Sequence, residues 1–173
     1  METKKNFNNT LFTFAFIYAI LGIVFMLIKS PLADPKSTST MIFGFVSLFS
    51  FIAVPVLAVW YFKNKGEVVT LGKSVKLGVL VGLLGGLLVG IYAFIYFKFI
   101  NPDIIDQIIE MSNQMLEESG ILSEEQIAKQ TETSQSIFAP MQLVGNIFTG
   151  LLYGVIGGLL GGLFFKTPQR EEY

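Results

Sequence analysis

The sequence predicts an all-α integral membrane protein, a four-helix bundle with an extracytoplasmic helical hairpin between the third and fourth spans. Hydrophobic residues make up 52% of the 173-residue chain. Charged residues make up 14%, against about 25% in an ordinary soluble domain. Four uncharged apolar runs are each long enough to cross a bilayer, and a polar, acidic segment over residues 101–139 separates the last two. The predicted spans, which form one membrane domain over residues 1–173, are residues 11–28, 41–62, 77–97 and 141–165.

The composition excludes several classes of function. The chain has no cysteine and no histidine, which removes disulfides, Cys/His metal sites and acid–base catalysis by histidine. A net charge of −1 provides no basic surface for nucleic acid. We therefore expect no cofactor, no bound metal and no nucleic-acid partner.

The first two spans carry ordinary features of membrane helices. Lys4 and Lys5 before the first run are also compatible with a signal peptide, but the run is long for one and residues 31–33 form a poor cleavage site. We expect a retained span. In the second span Pro55 predicts a kink, with Ser47 or Ser50 satisfying a backbone carbonyl that the proline frees.

The third and fourth spans share a glycine pattern. The glycines at 78, 82, 85, 86 and 90 recur with the same spacing at 150, 154, 157, 158 and 162. Glycines four residues apart leave a flat strip on a helix, where another backbone can approach closely. In water each glycine would cost a helix about 1 kcal/mol relative to alanine, so the pattern is typical of helices packed in lipid.

Consecutive spans run antiparallel, so the two glycine strips predict a register. If Lys76 and Lys166 mark the same depth, four glycine pairs lie opposite one another. We interpret all eight as helix-packing residues, and expect changes at Gly66 and Gly72 to be tolerated better. The alternatives are that each strip faces a different helix, lipid or a second subunit of a homo-oligomer. The predicted pairs are Gly78 with Gly162, Gly82 with Gly158, Gly86 with Gly154, and Gly90 with Gly150.

The basic residues predict the orientation, since cytoplasmic loops are enriched in lysine and arginine. One side carries eight of them and the other carries four, which places both termini in the cytoplasm and residues 101–139 outside. The first group is Lys4, Lys5, Lys63, Lys65, Lys73, Lys76, Lys166 and Arg170, and the second is Lys29, Lys36, Lys98 and Lys129.

The outer segment predicts two helices broken at Gly120. Asn101 is suited to cap the first helix with Pro102 at its first position, and Gly120 is suited to end it. Residues 123–126 form a Ser-x-x-Gln capping box, which predicts that a second helix begins at Ser123 and runs toward the fourth span, with Pro140 at the join.

The first outer helix has an apolar stripe at helical spacing. Packing against the second helix or the tops of the spans is the favoured interpretation, because helices that lie on a membrane surface usually carry basic residues and this one carries acids. Lying on the outer leaflet and binding another protein are the alternatives. The stripe comprises Ile104, Ile108, Met111 and Met115, widened by Ile105, Ile109 and Leu116.

The Pro102-Asp103 start after the third span, the acidic Ser-Glu-Glu-Gln-Ile element at residues 123–127 and the glycine-rich last span carry a family resemblance. Together with the four spans they resemble the bacterial membrane family catalogued as domain of unknown function 4199. The resemblance covers nearly the whole chain. It implies a multi-pass protein of the bacterial cytoplasmic (inner) membrane and carries over no catalytic residue.

The spans contain no ionisable Asp, Glu, Lys or Arg side chain, which argues against a proton relay or an intramembrane enzyme. Gln142, Asn146 and Thr149 repeat along one face of the fourth span, where they form interhelical hydrogen bonds or line a hydrated opening. We expect a non-enzymatic accessory protein that engages a partner with its acidic outer hairpin. The alternative is a channel or carrier for a neutral or lipidic solute, which requires a continuous path through the bundle.

Overall fold

The computed structural model describes residues 2–28, 37–120 and 124–168, which are helical almost throughout and contain no strand. Four of the helices are long and apolar enough to cross a membrane, so the predicted all-α membrane bundle is confirmed. The elements are α1 (Glu2–Ile28), α2 (Thr38–Asn64), α3 (Leu71–Ile95), a π-helical turn (Tyr96–Ile100), α4 (Asp103–Ser119) and α5 (Glu124–Phe165).

Side-chain caps set where α2 and α3 begin. The Ser37 hydroxyl accepts a hydrogen bond from the Thr40 backbone N–H at 3.2 Å, and that of Thr70 accepts one from Lys73 at 3.3 Å. The third helix therefore begins six residues before the predicted span start at residue 77, since it starts at Leu71. Lys73 and Lys76 therefore lie within α3, ahead of the predicted span.

The central helix of the bundle is α3, which contacts α1, α2 and α5. Its side chains Leu77 and Val81 are buried against Val59 of α2 in the main core. The outward faces of the spans carry large exposed apolar side chains, among them Phe16 on α1 and Phe49 on α2. Such a surface is stable in lipid and would be a liability in water.

Both described ends of the chain lie at one end of the bundle, which we call the terminal end. The Asn6 side-chain amide donates to Glu67 Oε1 at 2.9 Å, so the start of α1 reaches the connection between α2 and α3. Val69 and Thr167 join the same connection to the end of α5: the Val69 N–H donates to Thr167 Oγ1 at 3.0 Å, and the Thr167 N–H donates to the Val69 carbonyl at 2.9 Å. The opposite end carries α4, and we call it the hairpin end.

The predicted break at Gly120 is confirmed. Gly120 follows α4 in the left-handed conformation, with φ of 64°, and its N–H donates to the Glu117 carbonyl. Asn101 is not helical and Pro102 has helical angles, so the helical conformation begins at the proline as predicted. The predicted cap by Asn101 is wrong, because its side-chain amide donates to the Tyr96 hydroxyl at 3.5 Å and no side-chain cap bond is present at the start of α4. The next helix, α5, continues without interruption through Pro140 to Phe165. Ser123 and its capping box lie outside the described residues.

The serines of α2 do not serve the purpose that the sequence suggested. Pro55, within α2, lacks the N–H that would bind the carbonyl of residue 51. The Ser50 hydroxyl donates to the Val46 carbonyl at 2.7 Å, and the Ser47 hydroxyl donates to the Gly44 carbonyl at 2.8 Å. Each hydroxyl bonds within its own preceding turn, so neither reaches the carbonyl next to the proline.

Candidate functional site

Helices α3 and α5 meet along a surface made of glycine. A Cβ atom built on Gly78 would meet the carbonyl oxygen of Gly154, and one built on Gly154 would meet that of Gly78. Gly82 and Gly150 face each other in the same reciprocal way. Backbone therefore touches backbone, with no room for any side chain. We call this surface the glycine seam: Gly78, Gly82 and Gly86 of α3 with Gly150, Gly154 and Gly158 of α5.

The two glycine strips contact each other, but the predicted register is wrong by one to two helical turns, since the observed partners lie four to eight residues from the predicted ones. Gly86 faces Asn146 and Gly150, not Gly154, and Gly82 faces Gly150 and Gly154, not Gly158. The error comes from taking Lys76 and Lys166 as markers of equal depth. Lysine side chains are long and reach the interface from different depths, whereas the hydrogen-bonded pair Val69 and Thr167 gives the true level.

The outermost predicted pairs contain no glycine–glycine contact. Gly90 faces Leu143 of α5, and Gly162 faces Leu71 and Ser74 of α3. The shift moves Gly90 and Gly162 beyond the ends of the opposite strips, while Gly78 and Gly150 still face glycines. The predicted pairings of Gly90 with Gly150 and of Gly78 with Gly162 are therefore corrected.

Further glycines pack the other sides of the bundle. The Cβ position of Gly85 lies 2.6 Å from the Tyr18 ring of α1, and that of Gly157 lies 2.7 Å from the Ile52 carbonyl of α2. Gly161 lies against Val59 in the same manner. Gly161 is not among the predicted packing residues, although it lies four residues from Gly157 and so on the same side of α5.

Five of the described glycines have open space at their Cβ positions, and two of them have a positive φ. Nothing lies within 4 Å of the Cβ positions of Gly44, Gly72 and Gly145, nor of those of Gly66 and Gly120, which have the positive φ. Gly66 has a φ of 80°, which an L-residue adopts only at a cost of about 1–2 kcal/mol. Gly72 is thus a tolerant position as predicted from its location, but Gly66 is not.

A second feature is the hairpin formed by α4 and the first turns of α5. The isoleucines at the start of the apolar stripe face the bundle: Ile104 joins a cluster with Ala93, Phe97 and Ala139, and Ile108 packs against it. Met115, further along the stripe, is exposed. This position agrees with the favoured interpretation, packing on the tops of the spans. Side-chain hydrogen bonds join the two helices of the hairpin, among them one from Asn113 to Thr131 at 2.7 Å and one from Gln135 to Asp106 at 2.9 Å.

The carboxylates of α4 lie on the opposite side of that helix from its stripe. At 3.6 residues per turn, positions 103, 106, 110 and 117 share one face, and their side chains are exposed. Packing of the stripe therefore fixes the acidic face outward, at a defined position above the bundle. We call this the acidic face: Asp103, Asp106, Glu110 and Glu117.

A third feature is a cavity of about 390 Å³ in the hairpin half of the bundle. All four membrane helices contribute to its wall, and none of its lining residues is ionisable. The Phe51 ring forms its floor, packed against Tyr18 at 4.9 Å and Tyr153 at 6.0 Å between ring centroids. The lining residues are Gly22, Phe25, Met26, Phe43, Ser47, Phe51, Val89, Ala93, Phe97, Gln142 and Asn146.

Two of the three predicted polar residues of the last span reach this cavity. Gln142 and Asn146 line it, whereas Thr149 is exposed on the outside of α5. The Asn146 amide nitrogen donates to the Gln142 carbonyl at 2.7 Å, a bond within its own helix. The structure therefore places Gln142 and Asn146 at an opening between helices rather than in hydrogen bonds from one helix to another.

No cluster of acidic side chains within the described residues has the geometry of a metal site. The candidate functional features of the described residues are therefore the uncharged cavity, the acidic face and the glycine seam.

These features define a class, the multi-pass α-helical membrane proteins with an extramembrane helical hairpin. The model of the family "Protein of unknown function (DUF4199)" matches residues 13–167. The chain belongs to this family, as its resemblance suggested. It matches no curated protein and no solved structure.

Proposed function

We propose that the protein is a non-enzymatic accessory protein of the membrane that binds a protein partner through its acidic face. The observation that carries this proposal is the fixed outward position of the four carboxylates. A charged surface held rigidly relative to the bilayer steers a basic partner and sets its orientation. Because the hairpin already packs on the bundle, little ordering cost is left for the binding step.

The chemistry of the spans supports a binding role over an enzymatic one. Their predicted ranges contain no Asp, Glu, Lys or Arg, and intramembrane catalysis and proton relay generally depend on such groups. Ser47 and Ser50 hydrogen-bond to carbonyls of their own helix. The predicted span that contains both serines has no Asp, Glu, Lys or His side chain that could act as a general base for either hydroxyl.

The proposed location is the bacterial cytoplasmic (inner) membrane, with both termini in the cytoplasm and the acidic face outside. The eight-to-four distribution of basic residues supports this orientation. The partner would then meet the acidic face in the extracytoplasmic space, where a basic protein surface provides the complementary charge.

The test is co-purification from native membranes in mild detergent with three versions of the intact protein. The first is the wild type, and the second removes charge with Asp103→Asn, Glu110→Gln and Glu117→Gln. The third keeps charge with Asp103→Glu, Glu110→Asp and Glu117→Asp. Asp106 is left unchanged because it binds Gln135.

We expect one protein to co-purify with the wild type and with the charge-retaining version, and to be lost from the neutral version. Its capture should also weaken as salt is raised, since exposed charges are screened beyond about 10 Å at 0.1 M. Recovery of the same proteins with all three versions would contradict the proposal.

A carrier for a neutral or lipidic solute is the second candidate, and the uncharged cavity is the observation that favours it. The terminal half of the bundle is filled by buried side chains such as Leu77, Val59 and Val81. Transport would require these to move apart. The test is flux of a neutral solute into proteoliposomes. A carrier should give flux that is abolished when a disulfide locks α3 to α5. Flux no higher than in protein-free vesicles would exclude a carrier role for the solute tested.

A further inference from the structure

The cavity is bordered by a place where α2 and α5 separate. In the terminal half these helices are in contact, because Gly157 lies against Pro55 and Gly161 lies against Val59. In the hairpin half, Gly44 lies eleven residues, about three turns, before Pro55 and so on the same side of α2, yet nothing lies within 4 Å of its Cβ position. The two helices therefore diverge beyond the stacked rings of Phe51 and Tyr153.

The burial of α2 shows the same divergence. All its buried residues lie at Val54 or beyond, while Met41, Phe45 and Phe49 in its first half are exposed. In that half the partly covered residues are Thr40, Phe43, Ser47 and Ser50, and Phe43 and Ser47 line the cavity. The cavity is thus open sideways, toward the bilayer.

We propose that this cavity binds a single-chain amphiphile with an uncharged hydrogen-bonding head group, taken from the bilayer. This inference goes beyond the partner-binding function and does not depend on it. The volume of the cavity, about 390 Å³, lies near the lower end of the range for ligand sites, about 300–1,000 Å³. That size suits one chain rather than a lipid with two.

The body of the ligand is defined by the walls. Four phenylalanine side chains, Phe25, Phe43, Phe51 and Phe97, surround the space on three helices. Aromatic walls hold a methylene chain by van der Waals packing, the interaction that drives association in lipid. An empty cavity in this position would instead admit water or a lipid chain from the side.

The head group is defined by the polar residues near the hairpin end. Among the described residues, nothing hydrogen-bonds to the Gln142 side-chain amide, and the Asn146 side-chain oxygen accepts no bond. Ser47 donates its hydroxyl proton to Gly44, which leaves its oxygen able to accept. Polar groups without partners are costly in hydrocarbon, so a head group with both a donor and an acceptor satisfies them.

The charge of the head group follows from what the lining contains. None of the lining residues carries a charge, so a phosphate, carboxylate or ammonium buried here would have no counter-ion and a high desolvation cost. Hydroxyl, ester and amide head groups carry no such penalty. Gln142 lies at the polar end of the cavity, one turn nearer to the hairpin than Asn146, and Phe51 lies at its floor. The acyl chain of the ligand therefore points toward the middle of the bundle.

The experiment uses the intact wild-type protein in phosphatidylcholine vesicles with a monoacylglycerol that carries a diazirine in its acyl chain. After illumination, mass spectrometry locates the attached chain. We expect the chain to be attached to Phe43, Phe51 or Val89. Oleate should compete about tenfold more weakly than unlabelled monooleoylglycerol, because an unpaired buried charge costs more than a lost neutral hydrogen bond.

Variants separate binding in the cavity from contact with annular lipid. Gln142→Leu and Asn146→Leu should each reduce labelling about fivefold, the effect of one lost hydrogen bond. Thr149→Leu is the matched control, since Thr149 is a polar residue of the same helix outside the cavity lining, and should label as the wild type does.

Two results would overturn the inference. One is labelling confined to lipid-facing positions such as Phe45 and Phe49, unaffected by excess monooleoylglycerol. The other is equal competition by oleate and monooleoylglycerol. Both are measured on the wild-type protein, so they decide the question even where a leucine variant does not fold.

Discussion

At the scale of single residues, the glycine seam depends on what each glycine lacks. The side-chain position of Gly82 is occupied by the Gly150 carbonyl, and that of Gly150 by the Gly82 carbonyl. A carbonyl oxygen that occupies the missing side-chain position of a facing glycine is placed to accept a weak Cα–H···O contact, worth about 0.5–1 kcal/mol. Close packing of this kind supplies association energy in lipid, where apolar side chains gain nothing by leaving the solvent.

The seam predicts which glycines tolerate a side chain. Gly86→Leu and Gly154→Leu should destabilise the bundle by about 1–3 kcal/mol or more, because overpacking at this level forces the backbones apart. In each case the new Cβ would meet a backbone carbonyl, that of Asn146 or Gly78. The measurement is the fraction of folded protein against denaturing detergent in mixed micelles.

The chain offers a matched control on each helix. Gly72→Leu on α3 and Gly145→Leu on α5 add the same side chain where nothing lies within 4 Å, and should unfold as the wild type does. Gly66 is unsuitable because its positive φ makes any substitution strained. Equal loss of stability at the seam and control positions would show that the seam does not hold the helices together.

At the scale of elements, the hairpin shows what sequence patterns predict well. Gly120 ends α4 and the isoleucine stripe faces the bundle, because helix termination and amphipathic packing depend on local chemistry. The predicted span marks only the apolar part of α3, because the helix itself begins at the Thr70 cap, ahead of Lys73 and Lys76. The π-helical turn Tyr96–Ile100 has no comparable signature in the sequence.

The predicted capping box at the start of α5 remains a prediction. Ser123→Ala should cost about 1 kcal/mol of local stability, because the helix N-terminus loses a side-chain acceptor for one of its free N–H groups. Hydrogen exchange over residues 124–131 measures this directly, and about fivefold faster exchange is expected. Ser136→Ala serves as the control, since Ser136 bonds within the helix interior at Thr133. An unchanged exchange rate in the Ser123→Ala protein would show that Ser123 does not cap α5.

At the scale of the whole molecule, hydrogen bonds gather the start of α1, the connection between α2 and α3 and the end of α5 at the terminal end. The hairpin and the start of α2 lie at the other end. This two-sided arrangement agrees with an even number of spans. Which end faces the cytoplasm follows only from the distribution of basic residues, since packing is indifferent to membrane orientation.

Accessibility labelling measures the orientation. Because the chain has no cysteine, a single cysteine can be introduced at each end without a background. In intact cells, a membrane-impermeant maleimide should label Ser37→Cys and Ser119→Cys and should not label Asn64→Cys. After the cells are opened, all three should label. Labelling of the Asn64→Cys protein in intact cells would reverse the proposed topology.

The register of the seam was predicted incorrectly for a reason that applies to the whole molecule. The glycine spacing repeats every four residues, so a shift by one turn places glycine against glycine again. Local sequence therefore cannot distinguish adjacent registers. The connection between Val69 and Thr167 makes the selection, and it is a long-range contact without a sequence pattern.

The most direct test of the central claim, an antiparallel α3–α5 seam in this register, is disulfide formation in isolated membranes. The Cβ position of Gly162 lies 3.1 Å from the Cβ atom of Ser74, close to the separation of about 3.5–4.5 Å in a disulfide. With a mild oxidant, the Ser74→Cys/Gly162→Cys protein should form an intramolecular disulfide in high yield. The Gly78→Cys/Gly162→Cys protein should not. The reverse result would show the register that the lysines suggested, and no disulfide in either protein would show that the two helices do not meet along their glycines.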